Sequence, residues 1–391
     1  MQYRKDKYGR ELSVLGFGCM RFTRKGTGID LEKMERELVR AIEGGVNYLD
    51  TAYIYPGSEA ALGKILAKTG LRDKVYIATK LPHYLMKNVE QAEKLFREQL
   101  SRLQTDHVDY YLMHMLTDDA TWEHMISLGI DKWLREKQEK GQIGQVGFSY
   151  HGNSDTFMRL LDAWDWDFCQ IQYNYLDEHS QAGRTGYDYA VKKGIPVIIM
   201  EPLRGGRLVS NLPKAATKAI EEIGLTPAEL GFRWLWDQPG VTVILSGMNS
   251  LEMVEENLAT ADRTLPGSVP EEEKAVVETV RREIWAHTKV GCTGCRYCMP
   301  CPFGVDIPGT FHAYNTKAAE GWFLGTKQYI MCTLLRKNPA NASLCKKCGK
   351  CEQHCPQGIP IREKLQEAAK DMEGPAFRLA GFLNRKLKLW K

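Results

Sequence analysis

Eight short β-rich segments recur through the first 250 or so residues, each separated from the next by a stretch of helical period. They are SVLGFGCM from Ser13, VNYLDTA from Val46, KVYIATK from Lys74, VDYYLMH from Val108, GQVGFSY from Gly144, FCQIQYN from Phe168, IPVIIMEP from Ile195 and VTVILSG from Val241. Strands that alternate with helices run parallel and are joined by right-handed crossovers. Eight such units over about 250 residues predict a closed α/β barrel of the (β/α)8 TIM type rather than an open sheet. Helix start signals support the alternation: Asp30 precedes LEKMERELVRAIE, and Thr226-Pro227 opens a helix in the cap-then-proline arrangement.

At 391 residues the chain exceeds what one core usually fills, so a second, smaller domain is expected. Cysteine usage locates it. Only Cys19 and Cys169 precede residue 290, whereas nine of the eleven cysteines lie between Cys292 and Cys355. A Pro/Gly/Ser stretch at LPGSVP marks the boundary. The expected organisation is a barrel over 1–268, a linker helix over 269–289, and a small, mostly α, cysteine-bearing domain over 290–391 that ends in a helical tail. With 53 Lys and Arg against 49 Asp and Glu, and no basic arm, nothing points to nucleic acid. The longest apolar runs are strand-sized, so no membrane association is expected and the cytoplasm is the expected location.

In a barrel of this kind, chemistry gathers where the strands end. Four residues lie at or just beyond such ends: Asp50, Tyr55, Lys80 and His114. Asp50 is expected to pair with Lys80, whose ammonium would lower the pKa of the Tyr55 phenol and make it a proton donor. His114 would orient a carbonyl oxygen.

These segments resemble the aldo/keto reductase family across nearly all of residues 1–265, in LGFGCMR, YLDTAYIY, SEAALGK, IATK, DYYLMH, GQVGFS, QIQYN, IIMEPLRGG and LSGMNSLEMVEEN. The resemblance implies NAD(P)H-dependent reduction of an aldehyde or ketone, or the reverse, with Asp50, Tyr55, Lys80 and His114 as the catalytic tetrad. It also implies that Ser149 and Gln170 hold the nicotinamide carboxamide, with Tyr150 where the family usually has Asn. Met200 stands where many members stack an aromatic ring on the nicotinamide. The following loop, with Pro202, Leu203, Arg204, Gly205 and Gly206, passes beside the pyrophosphate. Ser246, Gly247 and Met248 follow at the last strand, and Glu256 and Asn257 match the pair that reads the adenine. Gly247 and Met253 stand where NADPH-preferring members carry Lys and Arg, so NADH is expected to serve at least as well as NADPH.

The C-terminal cysteines form two runs. CKKCGKCEQHCP places Cys345, Cys348, Cys351 and Cys355 at ferredoxin spacing, and CTGCRYCMPCP places Cys292, Cys295, Cys298 and Cys301 with a shortened last gap. In two-cluster ferredoxins the fourth cysteine of each run serves the other cluster. The expectation is one 4Fe-4S cluster on Cys292, Cys295, Cys298 and Cys355 and a second on Cys345, Cys348, Cys351 and Cys301. Two zinc sites are the competing reading. Cys332 lies outside either motif and reads as structural. The whole chain resembles aldo/keto reductases with C-terminal ferredoxin-like extensions.

Two functional readings remain open at this point. One is a working reductase whose clusters either exchange electrons with a redox protein partner or shape the barrel mouth. The other is a redox-sensing or partner-docking protein that binds nicotinamide without significant turnover. Trp122 and Trp133 read either as pocket lining or as packing.

Overall fold

The computed structural model describes residues 1–286, 288–292, 294, 296, 298–355 and 357–387. Eight parallel strands close on themselves: β1 (Leu15–Gly18), β2 (Tyr48–Asp50), β3 (Tyr76–Leu81), β4 (Val108–Leu116), β5 (Ile143–Tyr150), β6 (Phe168–Gln172), β7 (Val197–Met200) and β8 (Val241–Ser246). Closure is made by β8 against β1, with Ile244 opposite Leu15. Each expected segment overlaps one of these strands.

Alternation of side chains along the strands divides the core in two. Leu12, Tyr48, Ala78, Tyr110, Leu112, Phe168, Ile198 and Val243 fill the interior, and a larger apolar layer lies between the strands and the surrounding helices. Tyr48, Phe168 and Tyr110 meet edge to face, with both partners of Tyr110 within 5.3 Å, forming a floor. An antiparallel hairpin, Tyr3–Lys5 with Glu11–Ser13, closes the N-terminal end, and the Tyr110 hydroxyl donates to Asp6 at 2.6 Å. The helix starts follow the sequence signals: Asp30 caps Leu31–Glu43, and Thr226 with Glu229 forms a reciprocal capping box on Pro227–Trp236.

Helix Glu271–Trp285 packs on the barrel through Val277 and Val280 and is held by the Arg233–Glu273 pair at 2.7 Å. Beyond it come helices Ile307–Glu320, Trp322–Thr333, Ile361–Met372 and Pro375–Leu387, around a separate core that includes Ile307, Phe311, Tyr329, Leu365 and Phe377. This domain lies across the C-terminal ends of the barrel strands. The Thr117 hydroxyl donates to Leu335 O at 2.6 Å, Lys337 N to Asp118 at 3.3 Å, and Arg296 pairs with Asp155 at 2.6 Å.

Candidate active site and cysteine cavities

Period-two alternation places the site. On β2, Tyr48 is part of the interior floor, so Asp50 points inward two residues further on. The same step carries Ala78 to Lys80, Leu112 to His114, Phe168 to Gln170 and Ile198 to Met200. The inward residues at this level of the barrel are therefore polar, apart from Met200.

Lys80 and Asp50 are both almost fully buried and pair at 2.6 Å; the ammonium also donates to Thr51 O at 2.7 Å. Asp50 accepts a further bond from Gln170 Nε2 at 2.9 Å. The Lys80 ammonium lies 5.3 Å from the centre of the Tyr55 ring, and the Tyr55 and His114 rings meet edge to face at 6.1 Å. The four expected residues are thus brought together. His114 does not close its strand: β4 continues to Leu116 through an irregularity in which Met115 takes a φ of 60°.

Neighbouring side chains crowd the Tyr55 phenol out of water, and Asp50 and Glu201 add negative charge, so its pKa stands well above 10. The expectation of a phenol lowered by Lys80 is not met, because desolvation and two carboxylates outweigh the ammonium. Burial, followed by the Lys80 charge, holds His114 well below the usual histidine range, so it is a neutral imidazole; its buried Nδ1 has no hydrogen-bond partner among the described residues. Tyr84 stands beside His114 at 6.4 Å between ring centres, and burial pushes its pKa up to about 12.

The expected cofactor residues divide. Ser149 is buried and its Oγ accepts from Met115 N at 2.9 Å, beside Gln170 on the neighbouring strand. Tyr150 points outward instead, packing on Phe157 at 5.0 Å and donating to Asn153 O. Met200 and Gly247 are half-buried at the mouth, and Glu256 is exposed. Asn257 donates to Ser246 Oγ at 3.1 Å.

Three side chains are turned away from the mouth, contrary to expectation. Met248 is buried in the layer between strands and helices. Leu203, after the buried Pro202, packs so closely on helix Pro227–Trp236 that a Cβ at Gly231 would lie 2.5 Å from its Cδ2. Arg204 is buried in an ion cluster, 3.3 Å from Asp177, also paired with Glu320 and donating to Thr316 at 3.2 Å. A buried guanidinium between two carboxylates has its charge already matched. That leaves main-chain groups at Gly205 and Gly206, both with positive φ, as the face of this loop.

A cation missed by the sequence reasoning lies in the mouth. Arg21, in the short turn after β1, runs along Gly247 and reaches Gly205: added Cβ atoms would lie 3.0 Å from its Cδ and 2.5 Å from its Nη2. It is exposed and makes no ion pair or hydrogen bond among the described residues. The signal was present, as a cation three residues past a strand in GFGCMR.

A polar chain also went unforeseen. Asp177 accepts from Gln172 and Asn174, each at 2.9 Å, and lies 3.1 Å from His312 of the C-terminal domain; Gln172 accepts from Gln181, which lies 3.3 Å from His151. Beside it, a cavity of about 170 Å³ between the domains is lined by Arg204, Trp285, Cys292 and His312, apart from the tetrad. Trp122 and Trp133 are packing residues, the former against Trp166 at 4.6 Å and the latter against Phe96 at 5.7 Å.

The cysteines sort into two cavities. Cys292, Cys298 and Cys355 line one; Cys301, Cys345, Cys348 and Cys351 line the other. Cys295 lies outside the described residues. Each cavity takes its fourth-position cysteine from the opposite run. Among the described residues, no three His, Cys, Asp or Glu side chains close to the geometry of a single-ion site. Cysteines ringing a cavity fit a cluster of several atoms better than one tetrahedral zinc. Cys332 is buried in helix Trp322–Thr333, its thiol donating to Gln328 O.

The fold and the gathered Asp, Tyr, Lys and His side chains define a barrel oxidoreductase. Residues 14–277 match the aldo/keto reductase family, and the chain belongs to it. Residues 291–359 match a 4Fe-4S dicluster domain. Similar proteins include an aldo-keto reductase of Mycobacterium avium, 27% identical over 65% of this chain and 82% of the relative. Another is the uncharacterized oxidoreductase YqkF of Bacillus subtilis, 26% identical over 72% and 98%. Among solved structures, the fold is similar to the holo form of aldo-keto reductase AKR11C1 from Bacillus halodurans, with a TM-score of 0.59 and 24% identity over 72% of this chain and 96% of that one. An aldo-keto reductase from Klebsiella pneumoniae in complex with NADPH gives 0.59 and 23% over 72% and 95%. No helix among the described residues is long and apolar enough to cross a membrane.

Proposed function

We propose that the barrel catalyses reversible reduction of an aldehyde or ketone, with Tyr55 as the proton donor, and that the C-terminal domain holds two 4Fe-4S clusters. The observation that carries the first part is the buried Lys80–Asp50 pair beneath Tyr55, facing a neutral His114. When bound, reduced nicotinamide supplies the hydride. The raised pKa keeps Tyr55 protonated and ready to give its proton to the carbonyl oxygen as negative charge develops there. The Lys80 ammonium balances the phenolate that remains, and Asp50 and Thr51 O fix that ammonium in place. His114, neutral and opposite Tyr55, orients the same oxygen.

The mouth fits a dinucleotide. Ser149 and Gln170 would meet the carboxamide at the interior end, and Gly205 and Gly206 let the backbone approach the pyrophosphate. Arg21 would supply the charge-assisted bond to that pyrophosphate, a group common to NADH and NADPH. With no cation at Gly247 or Met253, NADH is the cofactor expected to serve at least as well.

The cysteine cavities support the crossed ligand assignment, with Cys295 completing the first set. When bound, the clusters supply one-electron chemistry. Turnover of an aldehyde and quinone panel by the anaerobically purified protein tests the reading, with Tyr55→Phe as the control. Loss of about 100-fold or more in kcat is expected. Absence of any Tyr55-dependent turnover would instead favour the redox-sensing reading.

A further inference from the structure

The two cysteine cavities differ in what surrounds them. The loop of the first is fastened to the barrel: Arg296 pairs with Asp155 at 2.6 Å, and Gly294 lies so close to His179 that an added Cβ would meet its Cβ at 2.7 Å. The second reaches the surface through exposed lining residues. Cys348 is exposed, and the rim includes the exposed Pro302 and Phe303 together with Lys346.

The charge at this rim is one-sided. Lys346, Lys347 and Lys350 are exposed and make no ion pair among the described residues. The nearby Glu352 is already held by Arg362 at 2.7 Å, and Lys364 by Glu367 at 2.8 Å; on the next helix Glu363 is exposed, as is Asp371, which pairs with Lys317. Exposed Pro302 and Phe303, sharing a cavity lining with Lys346 and followed in the same cysteine loop by Lys347 and Lys350, have the composition of a transient protein interface, apolar residues beside unpaired charge.

We infer that this face docks an acidic one-electron carrier protein, which exchanges electrons with the protein through the outer cysteine cavity. The inference rests on the reading of the cavities as 4Fe-4S sites. The step is a single electron transfer: the reduced carrier loses one electron, the oxidised cluster gains it, and no bond forms or breaks. The reverse transfer uses the same contact. Lysines around a cysteine-lined opening favour a protein carrier over nucleic acid or lipid, because only the carrier needs access to that opening.

The test uses the full chain, purified anaerobically with both clusters, and a fluorescently labelled acidic plant-type 2Fe-2S ferredoxin as the probe. Binding should weaken steeply with added salt. The combined Lys346→Glu, Lys347→Glu and Lys350→Glu variant should bind about tenfold or more weakly. In stopped flow, dithionite-reduced ferredoxin should bleach the variant's clusters correspondingly more slowly, while reduced methyl viologen, itself a cation, bleaches the variant at least as fast as the parent protein. The corresponding Gln variant serves if the Glu variant does not load iron. Salt-independent binding, equal affinity in the variant, or displacement of ferredoxin by single-stranded DNA or anionic vesicles at lower concentration would overturn the inference. So would a shifted cluster potential with unchanged binding, which would mean that the lysines only offset the cluster's charge. About eight irons per chain without ferredoxin binding overturns the docking surface alone, whereas zinc in place of iron overturns the cluster reading beneath it.

Discussion

Arg21 lies against Gly247 so closely that a Cβ added at 247 would sit 3.0 Å from the Arg21 Cδ. The glycine is the space in which the arginine stem runs, and Gly205 is the space its guanidinium reaches. The absence of a side chain at one position and the presence of a cation at another are thus one arrangement.

Arg21→Ala should raise KM for NADH and NADPH by similar factors, about tenfold to 100-fold for a lost charge-assisted bond, with their ratio unchanged. Initial rates with each cofactor measure it. A change confined to NADPH would mean that Arg21 reads the 2′-phosphate instead.

Gly247→Lys should not simply graft NADPH preference onto the barrel. The new side chain enters space that Arg21 occupies, so binding of both cofactors should weaken before any gain for NADPH appears. Cofactor titration by fluorescence, compared with the Arg21→Ala/Gly247→Lys double variant, separates the clash from the new charge.

Arg204→Met should act on stability rather than on cofactor binding. It leaves Asp177 and Glu320 buried without their shared cation, a loss of about 3–5 kcal/mol for a broken buried pair. Urea unfolding should show the loss while KM for NADH stays near its original value. A raised KM with unchanged stability would return Arg204 to the cofactor loop.

Acid should weaken the fold before it touches most carboxylates. Burial holds His83 and His151 at a pKa of about 4, against about 6.5 in an unfolded chain. The unfolded state therefore binds protons that the folded state refuses, and stability is lost as pH falls from about 6.5 toward 4. Between pH 7.5 and 5.5 each should cost about 1 kcal/mol. His151→Gln should flatten that slope in urea midpoints measured across the range.

The barrel was legible because parallel strands buried on both faces read as apolar runs, and because helix caps punctuate them. The tetrad was legible for the same reason: once Tyr48, Ala78 and Leu112 face inward, Asp50, Lys80 and His114 must follow. What escaped was anything set by a loop's path. Nothing in MEPLRGG says that Arg204 turns toward Asp177 and a helix more than one hundred residues later, and nothing in GFGCMR says that Arg21 bends back toward Gly205. The cysteine partition was readable because the runs resemble those of two-cluster ferredoxins, in which the fourth cysteine crosses to the other cluster, whereas the polar chain from His151 to His312 joins residues with no common motif.

The loops that give such barrels their selectivity are usually free to vary one by one. Here the loops after β4, β5 and β7 are each tied to the cysteine-bearing domain, through Thr117, Asp155 and Arg204. Three walls of the barrel mouth are consequently anchored in a second domain. A substitution there moves all three together, so what the mouth admits is decided partly outside the barrel.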